Sequence, residues 1–524
     1  MPLSLHMIAL ATPVQAAALL ATAGATAFAL VTTDRRLRAM AMIAAPVLAV
    51  LSIGTLAEDF DVPAIGAKVI GAGVAGVVGV AVLTAIVLRR PNAFALLAVA
   101  ALPFRVPVSI GDTAANLLLP LYGVIAAGIL TYAWKWLRAD RTEDVEREPI
   151  VRRLQFVFAG VLGLYALQAL YSTDLEQALK NFCLFYVPFA VLFLLLLDTI
   201  WTRKLLRTSL WVTVGLALVF AAIGCVEFAT GHLLITNAKV VEANDLLPYF
   251  RVNSLFFDPN IFGRYLALTM ILLAAVLLWT RRPREAAYIG AALVLLWLGL
   301  VFSLSQSSFA ALLLGLAVLA ALRWKPWPVV ALIGGVAVVA VAVVALAPGV
   351  LNIDTEKQDP WNRATSGRAE LIAGGLRMVR DRPVYGFGSG AYADEYRSRE
   401  RVSSEKVAAA SHTIPLTVTA EQGVIGLAAY VALVVVSLML LFRGLRARLK
   451  PAWPGTAAIA QTGMAAAYAA LLLHTLVYAA YLEDPLAWVL LAIAAGLRTR
   501  NDPTGSDPLS VRDSRGQTPV VSGA

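Results

Sequence analysis

Runs of about 20 apolar residues recur along the chain, PVVALIGGVAVVAVAVVALA at 328–347 among them. Each is long enough to cross about 30 Å of hydrocarbon as a helix. A segment in lipid has no water to satisfy its N–H and C=O groups, so it must bond them internally. Repetition of such segments therefore predicts an all-α polytopic membrane protein. The composition agrees, with 60% hydrophobic and 15% charged residues over 524 positions and a mean hydropathy of +0.77. A soluble chain of this length would need far more polar surface.

About fifteen spans can be placed, from 7–31 to 485–498, and the short ones reduce the expectation to about 13–15 transmembrane helices. Stretches 93–110 and 114–135 are read among them as spans. The basic residues then fall in every second loop: Arg35, Arg36 and Arg38, then Arg89 and Arg90, then Arg138 to Arg153, Arg203 to Arg207, Arg281 to Arg284, Arg323 and Lys325, and Arg443 to Lys450. The intervening short loops carry few cations. The positive-inside rule puts the N-terminus outside and the C-terminus in the cytoplasm, and an odd number of spans agrees. The net charge of +10 belongs to these loops, which face anionic lipid, and does not point to nucleic acid. Start MPLSLHMIALATPVQ lacks the positive region of a signal peptide and is read as the approach to a retained first span. Cys183 and Cys225 both sit in apolar segments, so no disulfide framework is indicated.

Residues 1–498 are read as one transmembrane domain carrying an inserted outer loop at 348–411. The polar, Gly-, Pro- and Ser-rich tail 499–524 is expected to be a disordered cytoplasmic segment. Within the outer loop, SGRAELIAGGLRMVRDRP predicts a short amphipathic helix, with Ser366 to cap it and Pro383 to end it. Leu371, Ile372, Leu376 and Val379 supply its apolar side; Arg368, Arg377 and Arg380 supply cations. Such a helix suits the membrane surface.

Candidate chemistry gathers in the loops assigned to the outside. In FRVNSLFFDPNIFGRYLAL, 250–268, Asp258-Pro259 is a helix start signal, Asp as N-cap and Pro at the first helical position. Arg264 then lies about 7–8 Å below the helix start, where it either snorkels to the interface or marks a buried site. A helix N-terminus with Arg251 and Arg264 beside it suits a multiply charged anion. His412 stands where the outer loop meets the next span. Glu421, nine residues on, falls on the opposite face of a straight helix, so it orients His412 only if Pro415 or Gly423 breaks the helix. Otherwise it is a packed polar residue. YGFGSGAY at 385–392 is read as a turn, because it lacks the βαβ context of a nucleotide loop. The acidic pair Asp59 and Asp61 has no further ligands nearby. No metal site or cofactor is expected, and activity should survive chelation of divalent cations.

Taken in order, RVNSLFFDPNIFGRYLAL, SLSQSSFAALLLGLA, GRAELIAGGLRMVRDRPVYGFGSGAY, SHTIPLTVTAEQGVIGLAAY and HTLVYAAYLEDPLAW resemble the O-antigen ligase and polymerase family of bacterial envelope glycosyltransferases. These stretches are spread over residues 251–488, about half of the chain. The resemblance implies a C-type glycosyltransferase-like fold. It also implies transfer of glycan from an undecaprenyl-diphosphate carrier to an acceptor hydroxyl on a glycan, lipid or protein, at the outer face of the cytoplasmic membrane. On it, His412 matches a loop histidine proposed as general base, Arg251 an arginine near the diphosphate, and Arg368 the arginine opening the loop helix. Nearby phosphate would favour a cationic histidine, so binding of the diphosphate is the alternative role for His412. Arg264 is a further donor-binding candidate, and Asn260, Gln306 and Glu421 are candidate supporting residues. Two positions depart from the family: Gln306 stands where arginine is common after the serine turn, and Thr413 where asparagine is common after the histidine. The first removes a diphosphate ligand, for which Arg264 is the candidate substitute. From another class, a membrane transporter of small anions or lipid-linked sugars is the alternative. Polar residues clustered on one side, without evident repeats, favour the enzyme over it.

Overall fold

The computed structural model describes residues 11–56, 67–110, 113–139, 146–234, 241, 249–324, 327, 368–400, 413–450, 454–478 and 480–498. Among them the chain is helical but for one hairpin. In order the elements are α1 (Pro13–Val31), α2 (Arg35–Gly54), α3 (Ala67–Arg89), α4 (Asn92–Ala101), β1 (Val106–Ile110), β2 (Thr113–Leu117), α5 (Leu119–Leu137) and α6 (Pro149–Ala169). Then come α7 (Leu175–Leu197), α8 (Arg203–Thr230), α9 (Pro259–Leu277), α10 (Pro283–Ser303), α11 (Gln306–Arg323), α12 (Arg368–Asp381), α13 (Tyr392–Glu400), α14 (Ile414–Phe442), α15 (Thr456–Thr475) and α16 (Pro485–Arg498). Ten of the described helices are long and apolar enough to cross a membrane, and three shorter apolar ones accompany them. The chain is thus an all-α polytopic membrane protein. Residues 57–61, 328–347, Ser366, His412 and 499–524, each carrying an expectation above, lie outside the described residues.

One boundary differs from the sequence reading. The apolar stretches 93–110 and 114–135 are not two abutting spans: α4 stops at Ala101, and an antiparallel hairpin follows, pairing Val106 with Leu117 and Ile110 with Thr113. Pro103 and Pro107 explain the break, because neither supplies the N–H that a continuing helix needs. Hydropathy scores strand and helix alike here.

Local chemistry sets several other details. α7 widens into a π turn at Phe182–Tyr186, ahead of Pro188. Pro188 has no N–H to give the carbonyl four residues back. That carbonyl, of Leu184, instead accepts from the Tyr122 hydroxyl at 2.5 Å, so the defect ties α7 to α5. α14 breaks at Gly423, whose φ of 65° and ψ of −165° are not helical. The glycine is required, since a Cβ there would stand 2.1 Å from the Val384 carbonyl oxygen.

The helices surrounding α9 form the packing centre: α8, α10, α11 and α15 all lean on it, and α11 and α15 lean on each other. A second group joins α1, α2, α6 and α14. The basic loops meet at one end of the bundle. There Arg38 and Arg147 share Asp198, and Arg498 grips Glu148 through Nε at 2.9 Å and Nη2 at 3.1 Å. The loops assigned by sequence to the opposite side meet at the other end. Thr173 N–H donates to the Phe387 carbonyl at 3.4 Å, and the Ser172 hydroxyl donates to the Ser389 carbonyl at 2.8 Å.

α12 forms where its sequence predicts it, yet it turns a different face inward. Gly374, Gly375 and Met378 are buried while Ile372 and Leu376 are exposed. The two glycines permit close approach to Tyr396 and Leu416. Ile372 and Leu376 remain as the apolar surface available to lipid.

Candidate functional site

Three turns at the end opposite the basic loops build one polar cluster: 250–258 before α9, 303–306 before α11, and 476–484 between α15 and α16. Asp258 caps α9, accepting from the Asn260 N–H at 2.6 Å, and Pro259 opens the helix. The Asn260 side-chain oxygen then serves both neighbours. It accepts from Arg251 Nη2 at 3.2 Å and from the Ser305 hydroxyl at 2.9 Å. Arg251 Nε also donates to the Ser303 carbonyl, at 3.0 Å. Arg251 and Asn260 are therefore joined as one unit with the serine turn.

Arg264 does not snorkel. Its side chain is 1% exposed, and its Nη2 forms an ion pair with Asp484, itself 2% exposed. Asp484 caps α16, accepting from the Leu486 N–H at 2.9 Å. The Arg264 Nε and Nη1 atoms are buried without a hydrogen-bond partner among the described residues. The Tyr478 hydroxyl donates to Asp258 at 2.7 Å, and its ring lies 6.0 Å from the Arg264 guanidinium carbon. Burial, with Asp258 beside it, pushes the Tyr478 phenol well above its ordinary pKa, so it stays protonated and donates. Arg105 is a third cation here, in electrostatic reach of Asp484, Arg264 and Tyr478; its burial pulls its pKa down, and Asp484 opposes that.

The N-termini of α9, α11 and α16 thus converge with Arg105, Arg251 and Arg264, opposed by Asp258 and Asp484. Helix N-termini carry partial positive charge, so positive potential gathers with the arginines at this end, countered by the capping carboxylates Asp258 and Asp484. Among the described residues, the non-glycine residues with positive φ are Ser254 at 52°, Leu304 at 49° and Ala480 at 149°. One lies in each of the three turns. Strain of this kind costs about 1–3 kcal/mol per residue and collects where function holds it in place. Glu227 on α8 supplies part of the hold: its buried carboxylate accepts from the N–H groups of Leu234 at 2.9 Å, Asn253 at 3.2 Å and Ser254 at 2.8 Å. Gly263 supplies another part, because a Cβ there would meet the Ser308 hydroxyl at 2.8 Å.

The remaining candidates are placed unequally. Gln306 is exposed at the start of α11, outside the bonded cluster, while its neighbours Ser307 and Ser308 are buried and bond His474 Nε2 at 3.2 and 3.4 Å. The Glu421 carboxylate accepts from the Gly390 N–H at 3.0 Å and the Tyr392 N–H at 3.1 Å. It thereby fastens the 385–392 turn and the start of α13 to the break in α14. That stretch is a turn as expected, with φ of 68°, 100° and 81° at Gly386, Gly388 and Gly390. Arg368 opens α12. Thr413, adjacent to His412, donates from its hydroxyl to the Leu476 carbonyl at 3.1 Å, which fixes the start of α14 to the turn bearing Tyr478 and Asp484.

Sequence reasoning passed over Asp484, Tyr478, His474, Glu227 and Arg105. The signal for Asp484 was present, since Asp484-Pro485 repeats the Asp-Pro cap of Asp258-Pro259. Among the described residues no group of three or more His, Cys, Asp or Glu side chains is arranged to hold a metal ion.

The fold and this cluster define a multi-pass membrane protein with an arginine-rich polar centre, Arg264 buried and Arg105 and Arg251 half-buried, where several helices begin. Residues 291–431, from α10 into α14, match the family model of the O-antigen ligases, which supports the O-antigen ligase and polymerase family and, in general terms, glycan transfer of that type. No curated protein matches the chain.

Proposed function

We propose that the chain transfers glycan from an undecaprenyl-diphosphate carrier to an acceptor hydroxyl at the outer face of the cytoplasmic membrane. The observation that carries this reading is the convergence of Arg105, Arg251 and Arg264 with three helix N-termini, at the end where Thr413 is tied down. In the reaction the acceptor oxygen bonds to the sugar's anomeric carbon as that carbon's bond to the diphosphate oxygen breaks. The electron pair leaves on the diphosphate, and the hydroxyl proton passes to a base. A leaving diphosphate gathers charge as the bond breaks, and preorganised guanidinium groups meet that charge bidentately. Arg251 and Arg264 are assigned to it, with Asn260 holding Arg251, and Arg368 assigned to the donor from the outer loop. His412 is assigned as the base, its ordinary pKa lying near working pH. Sidedness follows the basic loops, which put this end outside.

The test uses purified, folded variants in nanodiscs, with transfer and carrier binding read separately. Arg251→Ala is expected to weaken donor use by about 2–4 kcal/mol, as loss of a charged transition-state contact does. Arg251→Lys should recover only part, because an ammonium lacks the planar fork. His412→Ala should abolish transfer while the carrier still binds; weakened carrier binding would make His412 a diphosphate ligand instead. Near-normal transfer by both alanine variants would overturn the assignment.

A further inference from the structure

With its mouth at the basic end, a cavity of about 450 Å³ opens between α4, α8, α9, α10, α15 and α16. Its wall is mostly apolar along α9 from Tyr265 to Val276, about 16 Å of helix. That length matches one leaflet's share, about 15 Å, of the hydrocarbon thickness. At its mouth stand Arg203, Arg207, Arg281 and Arg282, with Glu285 the only carboxylate among the lining residues. Glu285 is already engaged, pairing with Arg207 at 3.6 Å and accepting from the Thr280 hydroxyl at 3.0 Å. A second cleft of about 460 Å³ continues outward, sharing Arg207, Arg282 and Glu285 and adding Arg284.

Two further features fix the level of this mouth. Trp201, Trp211 and Trp279 line it, as tryptophans do where hydrocarbon meets headgroups. Ser209 also lines the cavity, is 7% exposed, and its hydroxyl has no hydrogen-bond partner among the described residues. It lies two residues beyond Arg207, about 3 Å deeper along α8. From mouth to floor the lining is cationic, then the unpartnered Ser209 hydroxyl, then mostly apolar, since the Thr213, Tyr265 and Thr269 hydroxyls donate to backbone carbonyls. Phosphate, ester and acyl chain of a glycerophospholipid follow the same order.

We propose that this cavity binds an anionic phospholipid. Its phosphate sits among Arg203, Arg207 and Arg282, an ester carbonyl accepts from Ser209, and one acyl chain lies along α9. This assignment is independent of the glycan reaction and of which side the basic end faces.

The test reconstitutes the full chain in nanodiscs of equal phosphatidylglycerol and phosphatidylcholine, then counts lipids retained after detergent extraction by native mass spectrometry. The wild-type chain is expected to keep phosphatidylglycerol over phosphatidylcholine by roughly tenfold, the preference that little more than one favourable arginine contact provides. Arg203→Gln/Arg207→Gln/Arg282→Gln should bring that ratio towards one. The single substitutions, each lowering it in part, serve the same reading if the triple variant does not fold. Ala460→Trp, which fills the apolar wall, should reduce both lipids bound. Equal retention of the two lipids by the wild-type chain would overturn the proposal. So would an unchanged ratio in the arginine variants, or thermal stabilisation by inorganic phosphate as large as that by phosphatidylglycerol.

Discussion

Replacing Asp484 by Asn tests the buried centre without disturbing the helix start. The amide oxygen can still accept from the Leu486 N–H, so the cap on α16 is kept. What is lost is the charge opposite Arg264, and both side chains are within 2% of complete burial. Two unit charges about 4 Å apart attract by about 4 kcal/mol at an effective dielectric of 20. Removing one partner of a buried pair costs about 3–5 kcal/mol, because the other is left uncompensated. Arg105 adds to the cost, being a second cation in reach of the same carboxylate. Asp484→Asn should therefore lower the apparent melting temperature in detergent sharply, while Arg264→Met/Asp484→Asn should recover most of it. Transfer should not recover in the double variant if Arg264 meets the diphosphate. A single Asp484→Asn chain as stable as the wild type would refute the reasoning, since the pair would then be solvated or unformed.

Gly423→Ala places a Cβ 2.1 Å from the Val384 carbonyl oxygen and keeps a φ of 65°; strain and overpacking together should cost about 2–4 kcal/mol. Limited proteolysis should then cleave between α12 and α14 faster than in the wild type, and equal rates would mean the break in α14 does not hold the 385–392 turn. For sidedness, a single cysteine at Arg380, which is exposed, should react with an impermeant thiol reagent in intact cells, whereas cysteines at Arg284 or Arg446 should not. The opposite labelling would reverse the orientation.

Much of this protein is written in the chain itself. Hydropathy located the membrane helices, and Asp258-Pro259 marked the start of α9, because capping is a local competition for orphan N–H groups. The glycines of 385–392 announced a turn for the same local reason. Tertiary structure decided the rest. Arg264 and Asp484 are 220 positions apart, and nothing local states that they meet. Gln306 faces outward while Ser307 and Ser308 face His474, a choice set by how α11 lies against α15. In a soluble helix the apolar stripe would reveal that choice. In lipid every face is apolar, since tails and protein interior attract a leucine alike, and hydropathy loses its direction. Glu421 shows the same limit from the other side: only the docking of the 385–392 turn against α14 brings the Gly390 and Tyr392 N–H groups to its carboxylate.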